Sequence, residues 1–229
     1  MADQFLMLVE GDDDYHVFQH LLTAHGIDQQ RTYRLEPYGS APRTSRGQEI
    51  VFRERQGVQN VLDYLSQLLR ITGDLKQVGV VVDADTNLAA RWQSLRDILI
   101  KAGYAAPKQA ASTGLILEHT ETPDEKPRVG IWIMPNNREA GSMENFFASL
   151  LPSHDTLWER ARLCVEQIPQ EERLFKDAFI KAHVHAWLAW QKRPGLPMGK
   201  AISEHYLNAD AADAVQLLNW LRRLFDLNP

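Results

Sequence analysis

The chain has 229 residues, of which 44% are hydrophobic and 24% charged, and its formal net charge is −5. This composition is typical of a soluble globular protein and excludes a fibre or a disordered tail. No apolar run approaches the ~20 residues that a membrane helix needs, and the first residues lack the basic flank of a signal peptide. A single cysteine excludes an internal disulfide framework. We therefore expect a cytoplasmic protein that does not coat nucleic acid non-specifically.

The first two thirds of the chain alternate segments of strand and helix character. Strands are predicted at residues 5–9, 32–38, 78–82 and 129–134, and fragments of strand within residues 104–128. Helices are predicted between Asp14 and Gly26 and at residues 58–69, 88–102 and 143–151. Residues 39–56 are rich in Ser, Arg and Gly, have no clear period and are predicted to be mostly loop. Residues 78–82 are apolar on both faces, which predicts the middle of a covered parallel sheet.

The composition changes after Pro152. Residues 153–229 contain four of the six tryptophans, and their apolar positions keep helical spacing without a strand-like run. The pattern predicts an α/β domain over residues 1–152, built on a mainly parallel, Rossmann-like sheet flanked by helices. It also predicts a C-terminal helical subdomain over residues 153–229 that packs on the sheet, with most of its tryptophans in the core.

Acidic residues stand where predicted strands end. Glu10 follows the first strand, Asp83 and Asp85 follow the third, and Glu144 begins the helix after the fourth. The crevice beyond the carboxyl ends of parallel strands is the usual ligand site of such sheets. Carboxylates that meet there repel one another unless a cation joins them, and hard oxygen ligands suit Mg²⁺ or Mn²⁺. The alternative is structural, because acids after strands also serve as turn formers and helix caps.

Three segments carry a resemblance to a known family. Residues 8–14, with Val9-Glu10-Gly11 and then aspartates, resemble the first motif of Toprim domains. Residues 80–85, a strand that ends in Asp-x-Asp, resemble the second motif. Residues 135–145, together with the tail around residues 181–201, are similar to an uncharacterised prokaryotic family of stand-alone Toprim-like proteins, related to the overcoming-lysogenisation-defect nucleases. Toprim domains bind Mg²⁺ or Mn²⁺ for phosphodiester chemistry.

The resemblance implies roles for individual residues. Glu10 corresponds to the acid that acts as general acid/base or metal ligand. The implied metal ligands are Glu10, Asp83, Asp85 and Glu144. Asp13 and Asp14 are expected to lie next to these ligands without binding the metal directly. A lysine that assists catalysis is expected at Lys181 or Lys200. The lysines have a plain alternative as solvated side chains.

Other polar and reactive residues carry weaker predictions. Arg43 and Arg46 in the predicted loop, with Arg53 and Arg55 beside it, are candidates to bind phosphate, or belong to a solvated loop. Ser142 is expected to cap a helix rather than to act as a nucleophile. His183 and His185 lie two residues apart, and a metal site there is not expected because such positions do not share a helical face. Cys164 is expected to be buried and inert.

Three functions remain open from the sequence. The first is a metal-dependent phosphoryl-transfer enzyme of Toprim type, a nuclease, acting on a nucleic acid or nucleotide. The second is a non-catalytic metal- or nucleotide-binding or sensor module with the same fold. The third is a haloacid-dehalogenase-type phosphatase that would use Asp83, although Thr86 stands one position early for that motif. No Gly-x-x-x-x-Gly-Lys-Ser/Thr loop is present, so an ATPase function would have to come from a partner.

Overall fold

A computed structural model describes residues 5–27, 32–40, 49–71 and 75–227. Within them lie six strands: β1 Phe5–Val9, β2 Thr32–Glu36, β3 Glu49–Glu54, β4 Gln77–Asp83, β5 Leu115–Leu117 and β6 Arg128–Met134. The helices are α1 Asp12–Ala24, α2 Val58–Leu68, α3 Leu88–Lys101, α4 Met143–Ser149, α5 Thr156–Glu166, α6 Phe179–Ala189, α7 Met198–Ser203 and α8 Ala212–Phe225. None of the described helices is both long and apolar enough to cross a membrane.

The six strands form one sheet in the order β2-β3-β1-β4-β6-β5. All neighbouring pairs are parallel except β5 with β6, which is antiparallel and closes one edge. The prediction of a mainly parallel α/β sheet is therefore confirmed. β4 lies between β1 and β6, and Val78–Val82 is buried throughout, as its continuous apolar run predicts.

Each face of the sheet carries its own core, because successive side chains of a strand point to opposite faces. In β1, Leu6 and Leu8 pack with helices α2 and α3, whereas Met7 and Val9 pack with α1 and the helices after Pro152. Helices α5 to α8 thus complete one face of the sheet and share its buried cluster. The division of the chain at residue 152 into a domain and a subdomain stays a prediction.

Two glycines let helix α8 approach the sheet closely. Gly79 of β4 pairs with Gly130 of β6. A Cβ atom at Gly130 would lie 2.5 Å from Leu224 Cδ2 of α8, and one at Gly79 would lie 3.0 Å from the same atom. Because neither glycine has a side chain, α8 packs closely against β4 and β6, and Trp220 and Leu224 are fully buried.

The prediction of loop over residues 39–56 was wrong at its end, because β3 lies within it. Ile50, Val51 and Phe52 are buried in the sheet, but charged neighbours on both sides hide their strand character in the sequence. Arg53, predicted to lie beside a phosphate-binding loop, is a buried residue of β3 that pairs with Glu36 at 2.7 Å. Its place is in the sheet and not in a loop.

Two smaller predictions concern the tail of the chain. Cys164 is exposed, not buried, because it lies on the solvent side of α5, whose buried residues are Ala161 and Val165. Trp187 and Trp220 are fully buried, which confirms the prediction that these tryptophans pack in the core, whereas Trp190 is 42% exposed.

Candidate functional site

The acidic residues meet at the topological switch point of the sheet, where the helices that follow two adjacent strands leave to opposite faces. β1 and β4 are adjacent and parallel, but α1, which follows β1, covers one face, and α3, which follows β4, covers the other. Helices that leave to opposite faces open a crevice between the carboxyl ends of their strands. Glu10 follows β1 and Asp83 ends β4, so both lie at this crevice.

Glu10 and Asp83 are in direct contact. The Asp83 backbone N–H donates a hydrogen bond of 2.8 Å to Glu10 Oε1. The Met143 backbone N–H, at the start of α4, donates one of 3.0 Å to Asp83 Oδ1. These two hydrogen bonds join the ends of β1 and β4 to the helix that carries Glu144. Three segments far apart in the sequence are thereby brought to one place.

Asp14 is buried beside them. Its side chain accepts a hydrogen bond of 2.7 Å from the Gly11 N–H, so that α1 begins after Gly11 and not after an aspartate cap. Burial raises the pKa of Asp14 to about 7; the Gly11 hydrogen bond lowers this pKa, and the negative charges of Glu10 and Glu144 raise it. Asp14 therefore belongs to the cluster itself.

Asp83 stands at the electrostatic centre of the group. Burial first, and then the charges of Asp14, Glu10, Glu144 and Asp85, raise its pKa to about 9. Burial also raises the pKa of Glu10, although the Asp83 N–H and the charge of Arg91 act in the opposite direction. A carboxyl group surrounded by four others holds its proton at neutral pH unless a cation compensates the charge.

Glu144 differs from Asp83 in that it forms an ion pair with a lysine. Its Oε1 lies 3.2 Å from Lys181 Nζ of helix α6, and its Oε2 accepts a hydrogen bond of 2.7 Å from the Ser142 hydroxyl. Burial raises the pKa of Glu144, but the Ser142 hydroxyl, its own backbone N–H and Lys181 outweigh burial, so the net pKa is lowered. Ser142 is the N-cap residue of α4, in line with the prediction of a helix cap.

An open cleft of about 500 Å³ lies over Glu144 and Asp83. Its walls come from the segment after β4, from the start of α4, and from α6 with the residues just before it. Lys181 is half exposed and lines this cleft, so a ligand in the cleft would touch both the acids and the lysine. Asp177, which the sequence did not single out, lines it as well.

Asp85 lines the same cleft, but it is exposed and paired with an arginine. Its carboxylate is 61% exposed and lies 2.5 Å from Arg91, which also donates a hydrogen bond of 2.7 Å to the Asp83 carbonyl. Asp85 adopts a left-handed backbone with φ of 51° and bridges to Gly141. The sequence analysis missed Arg91, although an arginine one turn into the helix after Asp-x-Asp is the signal that would have found it.

The remaining predicted site residues are dispersed. Asp13 is exposed and acts on the cluster only through its charge. Lys200 lies on α7, next to His20. The pKa of His20 is lowered first by burial and then by the charge of Lys200. His20 is six residues along α1 from Asp14, about 9 Å of helix, so Lys200 is not brought to the acids. Arg43 and Arg46 lie outside the described residues.

The carboxylates fit a hard divalent cation by their chemistry. Glu10 and Asp83 each use one oxygen in a hydrogen bond with a backbone N–H, and the pKa of Asp83 is raised first by burial and then by repulsion from the neighbouring acids. Positive charge between these groups would relieve it. In the ranges that the structure describes, however, no group of three or more His, Cys, Asp or Glu side chains could hold a metal ion as arranged. A cation bound by Glu10, Asp83 and Glu144 together would therefore require these side chains to rearrange.

A family model for a protein of unknown function, DUF3226, matches residues 4–226. The chain belongs to the DUF3226 family. The match covers the sheet, the acidic cluster and the helices after Pro152, so these are parts of one family unit. Comparisons with curated proteins and with solved structures found no significant match. The DUF3226 description names no activity and no Toprim domain, so that resemblance stays a prediction.

Proposed function

We propose that this DUF3226 protein is a metal-dependent phosphoryl-transfer enzyme of Toprim type, a nuclease acting on phosphodiester bonds. The observation that carries the proposal is the position of Asp83 at the topological switch point, where burial first and then the nearby Asp14, Glu10 and Glu144 raise its pKa. The Toprim-like motifs at residues 8–14 and 80–85 support it, since they supply Glu10 and Asp83. The open cleft beside them offers room for a substrate.

The proposed ligands are Glu10, Asp83 and Glu144, with Asp14 next to them. Mg²⁺ or Mn²⁺ bound there would supply Lewis-acid stabilisation of the charge that develops at phosphorus. Asp85, predicted as a fourth ligand, is engaged with Arg91 and holds that arginine in place. Because Asp83 keeps its proton at neutral pH without a cation, binding of the cation should release a proton to the buffer.

Lys181 has a separate role in the proposal. Its ammonium group lies at the cleft, where Glu144 raises its pKa, so it remains charged at neutral pH. A fixed positive charge at this position would attract a substrate phosphate and stabilise the charge of the transition state. In the proposal Glu10, whose pKa burial raises, would accept a proton from the attacking group.

The proposal is tested with divalent-dependent cleavage of plasmid DNA and of RNA by the full chain. We expect cleavage with Mn²⁺ or Mg²⁺ and none with EDTA. Asp83→Asn and Glu10→Gln should each lower the rate at least ~100-fold. Asp97→Asn is the matched control, because this exposed carboxylate of α3 only accepts a hydrogen bond from Gln93. Cleavage that survives Asp83→Asn would remove the cluster from the mechanism.

Lys181→Gln separates catalysis from folding. The side chain is 56% exposed but pairs with the buried Glu144, so its loss should lower the unfolding free energy by about 1–3 kcal/mol, which urea unfolding measures separately from the cleavage rate. The cleavage rate should nevertheless fall at least ~10-fold, because the charge at the cleft is gone. An unchanged rate would show that Lys181 only neutralises Glu144.

One observation favours a second candidate, a metal- or nucleotide-binding module without turnover. Two of the predicted ligands, Glu144 and Asp85, already have cationic partners in Lys181 and Arg91, which reduces the charge left to hold a catalytic metal. A calorimetric titration with Mn²⁺ distinguishes the candidates. The module is favoured if Mn²⁺ binds with release of a proton, if this binding depends on Asp83, and if no nucleic acid or nucleotide is cleaved. Addition of a partner ATPase should then not produce cleavage either.

A further inference from the structure

Helices α1 and α7 are in close contact because residue 199 is a glycine. A Cβ atom there would lie 2.5 Å from the His16 carbonyl oxygen and 2.9 Å from His20 Cδ2. The contact brings Ser203 Oγ of α7 to 2.6 Å from His20 Nδ1. It also brings Lys200 close enough for its charge to act on the His20 ring. We call the side chains of His16, His20, Lys200 and Ser203 the His20 patch.

Most polar atoms of the His20 patch have no protein partner and reach solvent. Among the described residues, the Lys200 ammonium group and the His16 ring make no hydrogen bond or ion pair, and His16 contacts only the Tyr15 ring. His20 uses Nδ1 for Ser203, which leaves its Nε2 without a hydrogen bond. Neither histidine contributes to the buried polar atoms that lack a partner, so these ring nitrogens are accessible. Lys200 and Ser203 are exposed.

No carboxylate balances the basic side chains of the patch in the described part of the chain. Burial first, and then the charges of Lys200 and His16, lower the pKa of His20, and no acid acts on it in the opposite direction. The acid nearest to the patch on α7, Glu204, pairs with Arg193 instead. Basic groups that converge without an acid are stabilised by an anion, as converging carboxylates are by a cation. The patch is therefore a site for a negatively charged ligand in a chain whose net charge is −5.

The patch lies on a helix face that leads to the acidic cleft. Asp13, His16 and His20 are spaced i, i+3 and i+7 on α1 and share one face. The pKa of Lys181, which lines the cleft, is raised first by Glu144 and also by Asp13, so the start of this face borders the cleft. Seven residues of α-helix separate Asp13 from His20, a rise of about 10 Å. That rise equals about three nucleotides at the stacked spacing of about 3.4 Å along a strand.

We propose that the His20 patch binds a backbone phosphate of a nucleic acid strand, so that the substrate of this protein is a polynucleotide and not a mononucleotide. Lys200 supplies the positive charge, and the histidine rings supply N–H donors. Such a contact positions the strand without reading its sequence. The placement of the scissile phosphate in the acidic cleft rests on the proposed nuclease function, whereas binding of the strand at the patch does not.

The test is fluorescence anisotropy of a labelled single-stranded oligonucleotide of about 12 nucleotides with the full chain in EDTA. We expect binding that weakens as salt rises from about 50 to 200 mM. Lys200→Gln should weaken it at least ~5-fold and reduce the slope of log affinity against log salt by about 0.7, the value of one phosphate contact on a single strand. His20→Asn should weaken it at least ~3-fold. AMP should bind at least ~10-fold more weakly than the strand.

Matched controls make the same changes elsewhere. Lys101→Gln, at the end of α3, and His154→Asn, before α5, alter exposed residues outside both helices of the patch and should leave affinity and salt slope unchanged. Lys200→Arg keeps the charge and should keep both. A loss with Lys200→Arg as large as with Lys200→Gln would show a structural role and overturn the proposal.

The remaining outcomes separate this site from the nuclease. Absence of strand binding, an unchanged salt slope in Lys200→Gln, or AMP binding as tightly as the strand would overturn the proposal. Binding that depends on Lys200, without cleavage when Mn²⁺ is added, would reject the nuclease and retain the patch. Cleavage together with an unchanged salt slope in Lys200→Gln would retain the nuclease and reject the patch.

Discussion

Asp83→Asn should make the protein more stable in EDTA at neutral pH while abolishing its response to divalent cations. Burial and the surrounding acids raise the pKa of Asp83 from 3.8 to about 9 in the folded protein. The folded state thus binds this proton more tightly than the unfolded chain does, and stability is lost as pH rises from about 4 to about 9. Asparagine has the same shape, can still accept the hydrogen bond from the Met143 N–H and does not titrate.

The size of the effect follows from the shift. At pH 7 the pH exceeds the unfolded-state pKa of 3.8 by about three units, while the folded-state pKa of about 9 is not yet reached. Each unit corresponds to 1.36 kcal/mol, so the carboxyl group lowers the unfolding free energy by about 4 kcal/mol relative to a neutral side chain. Asp83→Asn should recover a gain of this order at pH 7 and almost none at pH 4.

Urea unfolding measured from pH 4 to pH 9, with and without Mg²⁺ or Mn²⁺, is the assay. In EDTA the unmodified chain should lose stability across this range, and the variant should show a flatter profile. Added cation should stabilise the unmodified chain and not the variant. The reasoning is refuted if Asp83→Asn destabilises the protein at pH 7 in EDTA, or if its pH profile matches that of the unmodified chain. Asp97→Asn should change neither profile.

Three further predictions concern other parts of the fold. Glu36→Gln should lower the unfolding free energy by about 3–5 kcal/mol in urea, because it removes the carboxylate that pairs with the buried Arg53 at 2.7 Å; a change below 1 kcal/mol would contradict a buried ion pair. Gly199→Ala should cost about 1–3 kcal/mol in the same assay, since a Cβ atom there would lie 2.5 Å from the His16 carbonyl oxygen of α1; a neutral result would show that α7 is free to move. Cys164 should react with a maleimide in the native protein as fast as in the unfolded one, measured by mass; strong protection would show that it is covered.

The sheet could be predicted from the sequence where burial leaves a continuous pattern. Val78–Val82 is apolar on both faces and occupies the centre of the sheet. β3 was not predicted, because it has only three apolar residues, which are flanked by Glu49, Arg53 and Glu54. The partner that makes Arg53 acceptable inside the sheet, Glu36, comes from β2, and a pairing between strands cannot be read from local periodicity.

The acidic site shows the same division between local and tertiary information. Strand ends predicted that Glu10 and Asp83 would lie at one edge, and the hydrogen bond between them is consistent with that geometry. The sequence could not indicate which acids face inward. Asp85 is two residues from Asp83, yet its left-handed backbone directs it to Arg91, whereas Asp14, expected in a supporting position, is buried in the cluster.

The two acids of the Asp-x-Asp segment have different surroundings in the fold. Arg91 donates one hydrogen bond to the Asp83 carbonyl and another to the Asp85 carboxylate, so the first turn of α3 is anchored to the end of β4. Asp85 therefore helps to fix the helix that follows the strand, whereas the Asp83 carboxylate belongs to the buried cluster. Two acids one residue apart in the sequence thus differ in role because only one of them is paired with an arginine.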